Sequence, residues 1–236
     1  MSRGFATTRW SVVLRARGGD PEGRQALSTL CQDYWHPIYA FIRRQGHGVE
    51  EARDLTQGYF LLVLEKGLLH DVRRTEGRFR SFLLASVRHF LSDARDRQRA
   101  AKRGGGRSPV PLDEAVAEEN YLREPHTELT PEEIFERRWA FTVIERAVRR
   151  LHEDSERRGR LGQFERLQEF LTGAGTGTYR KAASDLGMTE DAVKVAVHRL
   201  RHRYGEMLRK EVEETVADPA QVDGEIRYLL AVIGRR

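Results

Sequence analysis

Apolar residues recur at intervals of three and four positions along most of this chain, which is the spacing of one face of an α-helix. The clearest example is the stripe formed by Phe79, Phe82, Leu83, Val87, Phe90, Leu91 and Ala94. No stretch combines apolar–polar alternation with enrichment in β-branched residues, and the chain contains no internal repeat. The sequence therefore predicts an all-α protein built from small helical bundles.

Two further helical patterns precede this stripe. In the first, over 27–42, Pro37 predicts a kink or a break at His36, because proline has no amide hydrogen to donate inside a helix. The second pattern opens with Glu50 and Glu51, whose charges suit the positive end of a helix dipole. Apolar residues cover much of this second helix, so we expect it at the centre of a bundle.

The charge of the chain changes sign near its middle. Residues 71–107 contain eleven basic and four acidic side chains, whereas 108–133 contain one basic and eight acidic side chains. The acidic stretch also contains Pro109 and Pro111 and has no sustained apolar period. We interpret 104–130 as a flexible acidic linker between two small helical domains.

The amino-acid composition indicates which kind of partner and which cellular compartment to expect. The 236 residues carry a net charge of +5, and only five of the 41 basic residues are lysines. Arginine binds phosphate and guanine edges in a bidentate manner, which favours a polyanionic partner, although a GC-rich genome also enriches arginine. Cys31 is the only cysteine, so no internal disulfide is possible. The apolar runs are too short to span a bilayer and the first residues lack a signal-peptide stretch, so we expect a cytoplasmic protein without membrane insertion.

Helix signals resume after the acidic stretch. Thr130 is placed to cap a helix that has Pro131 at its first position, and we expect this helix to continue to about Leu151. Apolar residues over 161–171 predict the next helix, which a glycine-rich segment over 173–177 ends.

The segment 179–203 has the spacing of a helix-turn-helix. Ala183 is small where two helices cross, Gly187 supplies the turn, and Val193 and Val197 return apolar contacts to the first helix. The second helix exposes a row of basic side chains, namely Lys194, His198, Arg199, Arg201, His202 and Arg203. Such a helix fits the major groove of DNA, and an ordinary helical hairpin with a solvated charged face is the alternative.

Three segments of the chain resemble one protein family. Residues 187–208 (GMTEDAVKVAVHRLRHRYGEML) are similar to the fourth conserved region of bacterial sigma factors of the extracytoplasmic-function group. Residues 54–60 (DLTQGYF) resemble the Asp-Leu-x-Gln-acid-x-Phe signature of their second region, and 77–100 resemble the basic helix that follows it and enters promoter DNA. The resemblance covers 25–103 and 131–212 in the expected order.

The resemblance implies a domain order and a function. It assigns 25–103 to sigma region 2, 104–130 to the linker and 131–212 to the region 4 helix-turn-helix domain, with terminal extensions at 1–24 and 213–236. The protein is then expected to bind core RNA polymerase and promoter DNA and to direct initiation, with no covalent chemistry and no cofactor. An anti-sigma factor or another regulatory protein is a further expected partner.

The resemblance also assigns site residues. The segment 68–99 is expected to read the minus-ten promoter element, and the helix over 189–203 the upstream element. The expected DNA-binding residues are Arg80, Arg88, Arg95, Arg99, Thr189, Glu190, Lys194, His198, Arg199, Arg201 and Arg203. The expected polymerase-binding residues are Arg53, Asp54, Gln57 and Leu61. The chain departs from the family pattern at Gly58, where an acid is usual, and at Val195 and Ala196, where Ser-Arg is common.

Other interpretations remain open on the residues alone. A transcription regulator with a helix-turn-helix would bind DNA without polymerase. A recombinase or nuclease is disfavoured because the chain lacks the usual metal, nuclease and hydrolase motifs. His89 and Asp93 share a helix face, but two ligands make a weak metal site. The apolar residues over 228–233 either pack on the body of the protein or bind a partner.

Overall fold

The computed structural model describes residues 21–66, 78–100, 118–119, 121, 129–171 and 177–234. Within these residues it contains eight α-helices with defined ends and no β-strand, so the predicted all-α class is confirmed. The helices are α1 (Pro21–Arg44), α2 (Val49–Lys66), α3 (Phe79–Ala100), α4 (Pro131–Arg157), α5 (Leu161–Leu167), α6 (Tyr179–Leu186), α7 (Glu190–Glu213) and α8 (Val222–Gly234). Short 3₁₀ helices occupy Gln168–Phe170 and Pro219–Gln221.

The chain divides into two compact units. The first contains the described residues up to Thr142 together with those from Glu213 onwards, and the second is Val143–Val212. The division therefore falls inside α4 and at the end of α7, whereas the predicted linker over 104–130 lies mostly outside the described residues. The start of α4, predicted to belong to the helix-turn-helix domain, and α8, predicted as an extension, both belong to the first unit.

The core of the first unit is largely aromatic. Tyr34 of α1 stacks on Trp139 of α4 with ring centroids 4.4 Å apart, and its ring also makes an edge contact with Phe79 of α3 at 5.6 Å. All three side chains are fully buried. Tyr59 and Phe60 of α2 are buried as well, in keeping with the expected central place of this helix.

The start of α4 follows its sequence signal. The Thr130 hydroxyl accepts a hydrogen bond from the Glu133 amide at 3.2 Å, and the Glu133 carboxylate accepts one from the Thr130 amide at 2.9 Å. This reciprocal arrangement is a capping box, which satisfies two amides that the first helical turn leaves without partners. The predicted cap is confirmed, and α4 extends six residues beyond the predicted Leu151, to Arg157.

Of the kink or break expected at His36, the break does not occur. α1 is one continuous helix that contains Pro37 in its interior. The residues on both sides of the proline, including Tyr34, Trp35 and Ile38, are almost completely buried. Packing of these large side chains stabilises the helix by more than the one backbone hydrogen bond that proline removes, so tertiary contacts override the local signal.

The apolar tail forms a helix that the sequence pattern does not predict. Val222, Leu229 and Val232 of α8 are buried within the first unit, whereas Leu230 is 53% exposed. The Arg137 guanidinium donates a hydrogen bond to the Ile233 carbonyl at 3.4 Å. Of the two alternatives for this segment, packing on the body of the protein is therefore what the structure contains.

Cys31 is buried, and burial raises the pKa of its thiol to about 12. Every helix among the described residues is too short or too polar to traverse a lipid bilayer.

Candidate nucleic-acid interface

The helix pair α6–α7 is joined by a tight turn at the predicted glycine. Gly187 has φ of 62°, in the left-handed region that residues with a Cβ rarely adopt, and the Met188 amide donates to the Ala183 carbonyl at 2.9 Å. The Thr189 hydroxyl then accepts from the Ala192 amide at 3.2 Å and caps α7. The predicted turn at Gly187 is confirmed.

An apolar cluster holds the two helices together. Its buried members are Leu167, Phe170, Ala182, Ala183, Val193 and Val197. Ala183 is the small residue expected at the crossing, and Val193 and Val197 are one helical turn apart on α7. These contacts fix the rotation of α7 about its own axis, which determines the side chains that face solvent.

The first half of α7 presents polar and basic side chains to solvent. Lys194, His198 and Arg199 are exposed, as predicted. The Lys194 ammonium lies 2.9 Å from the Asp191 carboxylate, and this hydrogen bond raises the pKa of Lys194, so the residue stays charged at neutral pH. The pair is fully exposed, so solvent screens it and a phosphate can readily replace the carboxylate.

The predicted contacts at the start of α7 also lie at the surface. Thr189 and Glu190 are exposed. Glu190 accepts a hydrogen bond from Arg180 of α6 at 3.1 Å, and Thr189 is occupied as the helix cap. Both side chains are accessible, although each already has a structural role in the helix pair.

Two arginines further along α7 are bonded to other residues of the second unit, although Arg201 is exposed, as predicted, and Arg203 is half-buried. Arg201 donates two hydrogen bonds to the Phe170 carbonyl, at 2.7 and 3.0 Å, and Arg203 pairs with the nearly buried Asp154 at 2.9 Å. Because their guanidinium groups already have partners, Arg201 and Arg203 are less available to DNA than Lys194 and Arg199. Their observed partners give them a role in holding the second unit together.

Val195 and Ala196 lie beside Arg199 on α7, and all three border the same groove. Together with Phe164 and Leu200 they line an open groove of about 660 Å³ within the second unit. Val195 is 49% exposed there. The replacement of Ser-Arg by Val-Ala, noted from the sequence, therefore makes the wall of this groove more apolar.

Helix α3 presents part of its predicted basic face. Arg88 and Arg95 are exposed; Arg88 pairs with Glu132, and Arg95 donates to the Gln45 side chain at 2.7 Å. The backbone of Arg99 belongs to α3, but its side chain lies outside the part of the chain that the structure describes. Arg88 and Arg95 thus remain accessible on the side of α3 opposite its apolar stripe.

Arg80 does not belong to this accessible face. Its side chain is 5% exposed. Its guanidinium lies 2.8 Å from the Glu225 carboxylate of α8, bonds to Glu136 of α4 and covers the Tyr228 ring at 4.3 Å. The prediction that Arg80 contacts phosphate does not agree with this placement. The reason is a buried carboxylate 145 positions away, which a count of local charge does not include.

The sequence itself indicates that Glu225 needs a buried cationic partner. Glu225 lies on the same face of α8 as the buried residues Val222, Leu229 and Val232, and it is 1% exposed itself. An acid on the apolar face of a helix requires a buried cationic partner, because a lone buried charge is strongly unfavourable. The pattern thus indicates that a partner exists, but not which arginine it is.

The four candidate polymerase-binding residues lie along α2. Asp54 is exposed, whereas Gln57 and Leu61 are half-buried, and Arg53 pairs with Glu50 at 3.0 Å. Their spacing of three and four positions places them on adjoining sides of the helix. Gly58 follows Gln57, and a Cβ built there would lie 3.4 Å from the Phe90 ring, so the position has room for little more than a methyl group.

The candidate metal ligands do not form a closed site. His89 and Asp93 are 3.7 Å apart and exposed. Among the described residues, no group of three His, Cys, Asp or Glu side chains is arranged to hold a metal ion.

Comparison of the whole chain with protein-family models, with curated proteins and with solved structures finds no match. The function is therefore inferred from the residues of the chain itself.

Proposed function

We propose that this chain is a sigma factor of the extracytoplasmic-function type, which binds core RNA polymerase and directs initiation at specific promoters. The observation that carries the proposal is the arrangement of α7. Buried Val193 and Val197 fix the helix against α6, so that Lys194 and Arg199 project away from the core. Because the motif resemblance covers both halves of the chain, the proposed function includes binding to core polymerase as well as DNA recognition.

Helix α7 is the proposed reader of the upstream promoter element. The turn at Gly187 and the cap at Thr189 determine where α7 begins, and hence which side chains enter a groove first. With its first turns in the major groove, Lys194 reaches base edges or phosphates, and the fork of Arg199 matches the two acceptors of guanine. One such bidentate contact discriminates between bases by about 1–3 kcal/mol.

Helix α3 is the proposed contact to the minus-ten element. Arg88 and Arg95 are exposed and bond to the half-buried Glu132 and Gln45. Exposed pairs contribute about 0–1 kcal/mol, so exchanging them for DNA phosphates costs little and releases counterions from the DNA. These contacts position the promoter rather than read its sequence.

Two modules acting on one promoter explain how short helices achieve specificity. A single helix in the major groove makes only a few base contacts, which give limited discrimination. Once one module is bound, the second binds at a high effective concentration without any new contact. Core polymerase, bound through α2, supplies the initiation chemistry that this chain does not perform.

The test of this proposal is association with core polymerase. The wild-type chain is expected to co-elute with core RNA polymerase in gel filtration. The double variant Asp54→Ala with Gln57→Ala is expected to weaken the association at least about tenfold, because truncation of a contributing interface residue costs more than about 1 kcal/mol. Glu156→Gln, which removes an exposed carboxylate from the second unit, is the control and should leave the association unchanged.

Two results would redirect the proposal. Sequence-specific DNA binding without any polymerase association would identify the chain as a transcription regulator instead. An unaltered polymerase affinity in the double variant would refute the assignment of Asp54 and Gln57 to the docking face.

A further inference from the structure

The side chain of Val195 lies at the centre of the solvent-exposed side of α7. Val195 is two positions away from both Val193 and Val197, which are buried. Because an α-helix turns by about 100° per residue, Val195 points about 160° away from each of these two core residues. His198 and Arg199, which are exposed as well, lie one helical turn further along the same side.

An apolar side chain at this place differs from the polar and basic residues around it. Among the described residues, Val195 and Leu230 are the two large apolar side chains that are exposed, and Leu230 belongs to α8 of the first unit. A single exposed apolar residue is common at protein surfaces, so exposure alone carries no inference. Val195 is different because it lies between Lys194 and Arg199, on the helix that the proposed function directs into the major groove.

We propose that Val195 is a specificity-determining residue, which contacts the C5-methyl group of a thymine in the upstream element, beside the guanine bound by Arg199. This inference rests on the proposed function, because that function directs α7 into the major groove. It adds an apolar base contact to the polar ones assigned to α7, and it names the base that this contact selects.

The chemistry of the major groove identifies thymine as the base. Base pairs present hydrogen-bond donors and acceptors there, and the C5-methyl group of thymine is the apolar group among them. A valine side chain can neither donate nor accept a hydrogen bond. Against the polar edge of another base it would leave donors or acceptors without water or a partner, which is unfavourable. Against thymine, methyl groups come into contact and leave water, which is favourable.

The geometry of α7 also limits where the thymine lies. Val195 and Arg199 are four positions apart, so their Cα atoms are separated by about 6 Å along the helix axis. Successive base pairs of B-DNA are about 3.4 Å apart. With α7 aligned along the major groove, Val195 therefore reaches a base pair within about two steps of the guanine.

Replacement of single thymines by deoxyuridine tests the contact directly, because deoxyuridine lacks only the C5-methyl group. The wild-type full chain, alone and in complex with core RNA polymerase, first selects its binding sequence from DNA duplexes with a randomised central region. Each thymine of the selected sequence is then replaced in turn, and binding is measured by fluorescence anisotropy. At one position near a guanine, the dissociation constant is expected to rise about 3- to 5-fold, which is the equilibrium effect of leaving one methyl group unburied.

The variant Val195→Ala shows whether that loss arises from Val195. Because the side chain is exposed, the variant is expected to fold with nearly wild-type stability. It should bind the thymine duplex about 3- to 5-fold more weakly than the wild type, and it should no longer distinguish thymine from deoxyuridine at that position. Leu230→Ala, which removes the other exposed large apolar side chain, is the matched control and should keep the full response to deoxyuridine.

Three results would overturn the role of Val195. They are a selected sequence without thymine, wild-type binding that deoxyuridine leaves unchanged at every position, and a deoxyuridine effect that is equally large in Val195→Ala at every position. Loss of polymerase association with unchanged DNA binding in Val195→Ala would also overturn it, and would assign the side chain to a protein contact.

The same samples separate failure of this role from failure of the proposed function. If the wild-type chain binds core polymerase and selects a DNA sequence, but deoxyuridine has no effect, only the role of Val195 is refuted. If the chain selects no sequence either alone or with polymerase, the proposed function is refuted and the role of Val195 with it.

Discussion

Helices α3 and α7 both carry rows of basic side chains, but they use them differently. On α7 the charged partner of Lys194 is Asp191, three positions away and fully exposed. On α3 the partners of Arg80 are Glu136 and Glu225, which are 56 and 145 positions away and enclose the arginine in the core. Local sequence therefore predicts that a helix is basic, whereas long-range partners decide whether its charge is available to a ligand.

Removing the buried arginine should have the largest effect. Arg80→Ala is expected to destabilise the first unit by about 3 kcal/mol, because it leaves the buried carboxylate of Glu225 and the half-buried carboxylate of Glu136 with one cation fewer. Arg88→Ala, on the exposed side of the same helix, should change stability by less than about 0.5 kcal/mol. Urea unfolding followed by tryptophan fluorescence measures this, since Trp35 and Trp139 are buried in the first unit. Equal stability of the two variants would contradict the claim that Arg80 is part of the core whereas Arg88 lies at the surface.

The exposed face of α7 should show the opposite behaviour. Lys194→Ala with Arg199→Ala is expected to weaken binding to promoter DNA by about 10- to 100-fold, because each side chain supplies base or phosphate contacts, and to leave unfolding and polymerase association unchanged. DNA titration by fluorescence anisotropy measures the loss. Arg201→Ala serves as the comparison, since it should instead cost about 1 kcal/mol of stability by removing the bonds to the Phe170 carbonyl. Equal loss of DNA binding and polymerase association in the double variant would mean that this face of α7 is misassigned.

Two glycine substitutions test the turn before α7, and their expected effects on stability are smaller. Gly187→Ala places a Cβ at φ of 62° and is expected to destabilise the second unit by about 1–2 kcal/mol. Gly205→Ala, in the interior of α7 with open space around a Cβ, should stabilise the same unit by about 0.5–1 kcal/mol. Hydrogen exchange of the α6 and α7 amides distinguishes the two variants. Effects of the same sign would show that the turn geometry does not limit the stability of the helix pair.

Signals between near neighbours in sequence predict this fold well. The capping box at Thr130, the turn at Gly187 and the cap at Thr189 each involve residues within about five positions, and the structure contains all three. Pro37 was expected to kink or break its helix at His36, and the helix is not broken there because its neighbours are buried. Local chemistry thus gives the start of α4, the end of α6 and the start of α7, and it fails to place the break where packing opposes it.

The candidate site is only partly predictable for the same reason. Lys194 and Arg199 are exposed because Val193 and Val197, their neighbours on α7, face the core, and this follows from helical periodicity. The burial of Arg80 depends on Glu225, and no periodic pattern links residues so far apart. An acid on the apolar face of α8 indicates that some distant cation must be buried with it.

The most direct test of the proposed function is transcription reconstituted from purified components. Core RNA polymerase, the wild-type chain and genomic DNA fragments are combined, and the 5′ ends of the transcripts are mapped. The account predicts discrete start sites that neither core polymerase nor this chain produces alone, and that disappear with Lys194→Ala and Arg199→Ala. Transcripts whose starts are the same with and without the chain would contradict it.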